Sequence, residues 1–117
     1  MTGCPEDKQP SVLVHVVLIS FRDAASVAQR EEILDAYRSL GERCGGAQAG
    51  ILFWQVGPNF DLRKNWHLVE LAIFRDDDAL QRFRRHPAHA ALTSRLSALA
   101  DWAVGDLLSS GLAAAFP

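Results

Sequence analysis

Four histidines stand out as the residues of this chain most able to do chemistry: His15, His67, and the pair His86 and His89 on either side of Pro87-Ala88. Imidazole is the side chain best suited to move a proton near neutral pH. A neutral histidine on a pocket wall can take a proton alpha to a carbonyl. It then needs a neighbour to orient the ring and a donor to meet the developing enolate oxygen. Tyr37, the only tyrosine, is the candidate donor. The structural alternative is four core histidines hydrogen-bonded to backbone. A metal site is not expected. His86 and His89 are three residues apart, but Pro87 interrupts a continuous helical face. No acid or cysteine lies near them in sequence to complete the three or four ligands zinc takes. Neither a glycine-rich phosphate loop nor a serine-nucleophile motif is present.

The elements that must position these residues follow from patterning. Val12 to Phe21, rich in β-branched residues, predicts a first strand with His15 at its middle. Ser26 and Gln29 have capping-box spacing, with Asp23 as a rival cap. Val27, Ile33, Leu34, Tyr37, Leu40 and Cys44 then recur every three or four residues, predicting an amphipathic helix that Gly45-Gly46 stops. Gly50 to Gly57 and Trp66 to Phe74 predict two further strands, the latter opening with His67. Asp76-Asp77-Asp78 opens a second helix with acids at its positive end. His86-Pro87 breaks that helix, and Pro87 suits the start of a new one running to about Leu99. Trp102 to Leu108 predicts a fourth strand. The order strand, helix, strand, strand, helix, strand is the split βαβ arrangement of a ferredoxin-like α+β fold: an antiparallel four-stranded sheet with its helices on one face. Residues 1–11 read as a flexible leader, 12–108 as one domain, and 109–117 as a tail without pattern.

Both faces of the predicted sheet are apolar. In strand one, Val12, Val14, Val16 and Leu18 alternate with Leu13, His15, Val17, Ile19 and Phe21. In strand three, His67, Val69, Leu71 and Ile73 alternate with Trp66, Leu68, Ala72 and Phe74. Alternation is expected to bring His15 with Val17 and His67 with Val69 to the helix side, and to leave Glu70 for the opposite face. An antiparallel sheet covered on one side should alternate apolar with polar. Two helices cover one face only. A second copy of the same sheet about a two-fold axis is the simplest cover for the other. The expectation is a homodimer enclosing an apolar small-molecule pocket.

Composition excludes other partners. Twelve basic and 14 acidic residues give a net charge of -2, without the basic surplus of a phosphate-tracking protein, so nucleic acid is not expected. The longest apolar run is far short of the ~20 residues of a membrane span. The acids at 76–78 and the arginines at 82, 84 and 85 read as solvated helix surface. Trp54, Trp66 and Trp102 read as core or interface. With no secretory signal and two unpaired cysteines, Cys4 and Cys44, a cytoplasmic location is expected.

His15 to Phe21, the helix holding Glu31-Glu32 and Tyr37, His67-Leu-Val-Glu70 and His86-Pro-Ala-His89 together resemble the stress-responsive A/B barrel (Dabb) family over about Val14 to Leu107. The resemblance implies a dimeric α+β barrel. From a polyketide-cyclising member it implies cofactor-free chemistry with His89 as the catalytic base. It also implies a pocket formed by Tyr37, His15 and His67, to which strand alternation adds Val17 and Val69, and the end of the second helix Phe83 and His86. Phe83 stands where that member has a tyrosine. Two other readings remain open at this point: a non-catalytic stress-responsive binding or stabilising dimer, and a haem-handling barrel with His89 as axial ligand. No cofactor is otherwise expected.

Overall fold

The computed structural model describes residues 10–117. Most of the leader expected over 1–11, with Cys4, therefore lies outside the described residues. The elements are β1 (Val12–Phe21), α1 (Val27–Arg38), α2 (Leu40–Arg43), β2 (Ile51–Pro58), β3 (Leu68–Phe74), α3 (Asp77–Arg85), α4 (Pro87–Ser97) and β4 (Ala100–Ser109). They form one four-stranded sheet in the order β2-β3-β1-β4. All neighbouring strands run antiparallel. This is the ferredoxin-like α+β fold.

Local chemistry explains the helix ends. Ser26 Oγ accepts from the Gln29 N–H at 3.1 Å and Gln29 Oε1 from the Ser26 N–H at 2.9 Å, a reciprocal capping box. The helix expected to reach Cys44 breaks after Arg38. Ser39 turns its hydroxyl back onto the Ala36 carbonyl at 3.2 Å, which competes with the helical ladder. Val27, expected on its buried stripe, is 73% exposed, whereas Ile33, Tyr37, Leu40 and Cys44 are buried. The turn after α2 needs Gly45, whose φ of 110° is accessible mainly to glycine. Asp76 caps α3 by accepting from the Ala79 N–H at 2.8 Å. His86 caps α4: its Nδ1 accepts from the Ala88 N–H at 3.0 Å, directly before Pro87.

Register decides which residues share the helix face. Ile19 pairs with Leu68, Val17 with Glu70, His15 with Ala72 and Leu13 with Phe74. On the other side of β1, His15 pairs with Asp106 and Val17 with Val104. The helix face of β3 is therefore Leu68, Glu70, Ala72 and Phe74. This reverses the expectation for that strand: Val69 and His67 do not join His15, and Glu70 does. The His67 N–H donates to the Ile19 carbonyl at 2.7 Å and fixes this register. Burying Leu68, Ala72 and Phe74 carries the acid inward with them. In β2 a bulge between Ile51 and Phe53 brings Ile51 to the side of Trp54 and Val56 and leaves Phe53 on the outer face.

The core between sheet and helices includes Val17, Ile19, Ile33, Leu40, Phe74, Phe83, Leu92 and Leu96. Trp54 lies over Gly41, where an added Cβ would sit 2.7 Å from the indole Cγ. Its Nε1 donates to the Tyr37 carbonyl at 2.9 Å and its ring stacks on the Tyr37 ring. On the outer face Val12, Val14 and Ile73 are buried. There the tail continues past β4, and Phe116 meets Phe53 edge-on with centroids 6.2 Å apart. Further along the same face, Leu71 and Phe53 are exposed.

Candidate functional site

A cavity of about 270 Å³ opens between the sheet and the helices. β1 contributes His15 and Val17, β3 contributes Glu70, and β4 contributes Trp102 and Val104. α1 supplies Tyr37, α3 supplies Arg84, and α4 supplies His89, Thr93 and Leu96. The volume lies just below the range of small-molecule pockets, ~300–1,000 Å³. It suits a compact ligand rather than a tetrapyrrole.

His15 lies between two acids. Its Nδ1 is 2.7 Å from Asp106 Oδ1, so Nδ1 carries the hydrogen that Asp106 accepts. Its Nε2 is 3.4 Å from Glu70 Oε2. Asp106 is held in turn by Arg84, whose Nη2 lies 3.3 Å from Oδ2. Glu70 is 1% exposed, and its Oε2 accepts no hydrogen bond within the protein. Burial pushes the Glu70 carboxyl up to about 8. The facing Tyr37 hydroxyl pulls it down, and the negative charge of Asp106 pushes it up again. Tyr37 is itself driven above its ordinary 10 by burial first and by Glu70 second, so the phenol keeps its proton.

His89 sits in the first turn of α4, half-buried on the cavity wall. Its pKa falls below the ordinary 6.5. Burial is the main cause, and the nearby His15 and Arg84 side chains add to it, while the Arg84 carbonyl facing the ring opposes it. The imidazole is thus neutral, and able to accept a proton, where a ligand would lie. Its ring stands against Phe83.

Of the residues expected at the site, His15, Val17, Tyr37 and His89 converge on the cavity. The other four lie outside it. His67 Nδ1 accepts from the Phe21 N–H at 2.9 Å, and its ring lies beside the Phe21 ring, in a backbone-fixing role. Val69 faces the outer side of the sheet with Leu71. His86 is occupied as the cap of α4. Phe83 is buried behind His89 rather than on the lining. Sequence reasoning placed Glu70 on the wrong face and missed Asp106. Glu70 is the sole acid of the otherwise apolar strand LVELAIF, and Asp106 the sole acid of the stretch WAVGDLL within β4, and that isolation was the available signal. A larger concavity, about 740 Å³, lies where the tail meets the sheet end, lined by Val12, Leu52, Arg75, Ser110 and Phe116 among others. It brings together no comparable set of titratable groups. Among the described residues, no three His, Cys, Asp or Glu side chains are grouped to hold a metal ion.

An antiparallel sheet with helices on one face, and a histidine-and-acid cavity between them, defines a small ferredoxin-like α+β protein. The chain belongs to the Dabb family: the profile of the stress responsive A/B barrel domain matches residues 13–108. No curated protein sequence matches significantly. Several solved structures share the fold. A dimeric ferredoxin-like protein of unknown function from Thermobifida fusca is 19% identical, with a TM-score of 0.73, covering 86% of this chain and 93% of that one. The hydroxynitrile lyase from Passiflora edulis is 15% identical, with a TM-score of 0.72 and coverage of 86% and 94%. SnoaB, a cofactor-independent oxygenase from Streptomyces nogalater, is 18% identical, with a TM-score of 0.63 and coverage of 86% and 93%.

Proposed function

We propose that this chain is a homodimeric, cytoplasmic, small-molecule-binding α+β barrel that carries out cofactor-free proton transfer on compact apolar carbonyl compounds, aromatic or polyketide-like, leading to cyclisation or isomerisation. His89 is the general base and Tyr37 the neutral donor. The observation that carries this reading is the position of His89: a neutral imidazole on the wall of a cavity that is also lined by a phenol that keeps its proton. General-base catalysis requires that pairing. The resemblance of the HPAH element to that of olivetolic acid cyclase, which closes a linear polyketide without a cofactor, supports the same role for His89. Exposed Leu71 and Phe53 on the outer sheet face support the dimer, as do fold neighbours described as dimeric. Cys44, free among the described residues, supports the compartment.

The test is turnover or α-proton exchange with a panel of small aromatic and β-dicarbonyl ketones, comparing wild type with His89→Ala. Loss of activity in the variant is expected; activity that survives unchanged overturns the reading. The second reading, a non-catalytic binding dimer, is favoured by Phe83, which offers no hydroxyl beside His89. Ligand binding without exchange in the wild type would establish it instead.

A further inference from the structure

Glu70 is a buried acid with an unanswered oxygen. Its side chain comes from the helix face of β3, it is 1% exposed, and its Oε2 has no hydrogen-bond partner although it lines the cavity. A buried polar atom left unpaired costs ~1–3 kcal/mol, so such an atom calls for an explanation. The groups facing it are His15 from β1, Tyr37 from α1 and Asp106 from β4, with Arg84 from α3 behind Asp106 and His89 from α4 across the cavity. His15 already gives its Nδ1 hydrogen to Asp106. Only Nε2 is left to meet Glu70, at 3.4 Å.

Charge balance then places a proton in the gap. Asp106 and Arg84 cancel each other. An ionised Glu70 would be an unpaired negative charge buried at 1% exposure, an arrangement burial disfavours strongly. One proton held on Glu70 makes the cluster neutral. The upward displacement of the Glu70 carboxyl by burial agrees with this.

Resting on the reading that His89 acts as base, we propose that Glu70 is a second catalytic residue, the acid that protonates a bound carbonyl oxygen, and that the ligand class is therefore uncharged carbonyl compounds rather than carboxylates. A carbonyl entering between Glu70 and Tyr37 meets two O–H donors. A phenol beside a neutral carboxylic acid stabilises an enolate without a fixed charge. In the reaction, the His89 ring nitrogen takes the α-proton and the C–H pair becomes the C=C bond. The carbonyl π pair moves to oxygen, and that oxygen takes the proton from Glu70. The site is left as imidazolium plus carboxylate, with its net charge unchanged. Return of the His89 proton to the same carbon and of the enol proton to Glu70 exchanges the α-proton, and return to another carbon of a conjugated enol completes an isomerisation, in either case with no further reactant. An anionic ligand would instead meet the buried Glu70 acid, while the one guanidinium on the lining, Arg84, is already paired with Asp106.

Two measurements test this. In infrared difference spectra at neutral pH, wild type minus Glu70→Gln is expected to show a protonated-carboxyl band that shifts when acetophenone is added. A missing band, or one unmoved at saturating acetophenone, overturns the proposal. In deuterium exchange of the acetophenone methyl protons, Glu70→Gln is expected to slow kcat about a hundredfold or more with KM little changed, because the amide donates a hydrogen bond but cannot yield its proton. Benzoate is expected to compete at least about tenfold more weakly than acetophenone binds, a difference of ~1.4 kcal/mol. Exchange lost in His89→Ala but intact in Glu70→Gln overturns the role of Glu70 and leaves that of His89 standing. Exchange indifferent to His89→Ala overturns the base, and the infrared band then decides the acid alone.

Discussion

The ring of Phe83 stands edge-on to the imidazole of His89, with centroids 4.7 Å apart and planes at 66°. Phe83 also meets Phe74 at 5.1 Å and Trp54 at 5.5 Å. It joins the aromatic core to the back of the proposed base. Phe83→Ala would open a void among these rings, and a buried phenylalanine truncation costs ~3–5 kcal/mol. Urea unfolding is expected to show a loss of that size. Phe83→Leu, which keeps most of the volume, is expected to cost clearly less. A cost under about 1 kcal/mol for the alanine variant would show that Phe83 does not anchor this cluster.

The cavity acid and base impose opposite pH dependences on stability. Glutamate ordinarily ionises near 4.5, whereas Glu70 in the folded chain does so at about 8. Between those values the unfolded chain has released a proton that the folded chain retains. Stability therefore falls as pH rises through that window, by at most ~1.4 kcal/mol per pH unit, and levels off above it. His89 acts the other way. Its folded pKa lies below the ordinary 6.5, so its contribution is present above that value and is lost as pH falls. Glu70→Gln is expected to flatten the decline between about pH 5 and about pH 8 in urea-unfolding series. Equal slopes in wild type and variant would contradict the buried neutral acid.

His67 has a structural job that separates it from the cavity histidines. Its Nδ1 accepts from the Phe21 N–H at 2.9 Å, at the end of β1. Removing that acceptor leaves a partly buried N–H unsatisfied, at a cost of ~1–3 kcal/mol. His67→Ala is expected to lower Tm while leaving the affinity for acetophenone unchanged. A fall in affinity without a fall in Tm would instead place His67 at the site.

Element types were legible because each has a local cause. The β-branched run of β1, the Ser26–Gln29 capping box and the proline after His86 each determine their own segment within a few residues. The side on which a strand presents its residues is not local. Period-two alternation gives two sets for β3 but does not say which one is inward. Antiparallel pairing with β1, fixed by the His67–Ile19 backbone bond, chose Leu68, Glu70, Ala72 and Phe74. A displacement of one residue inverts every side chain, so the same uncertainty that misplaced Val69 also hid Glu70. The bulge in β2 is likewise set by pairing, and it moved Ile51 to the face of Trp54 and Val56. His15, Tyr37 and His89 were legible because they are rare residue types at inward positions of well-defined elements. Asp106 acquires meaning only through its register partner, His15, 91 residues earlier.

The proposed dimer makes its own demand on the outer face. Leu71 points away from the helices at the middle of β3 and is 37% exposed, and Phe53, diagonal to it in β2 and paired with Ile73, is 38% exposed. A second copy of the sheet would cover both. A charge placed there would be buried unpaired in the assembly but solvated in the monomer, so it should act on association rather than on folding. Leu71→Arg is expected to shift sedimentation from a two-chain to a one-chain species at micromolar concentration, with the circular dichroism of the folded chain retained. The cavity lies on the opposite side of the sheet, among His15, Tyr37, Glu70 and His89, so the monomeric variant should still bind acetophenone if one chain is sufficient for the site. An unchanged sedimentation coefficient would show that the chains associate through another surface, or not at all.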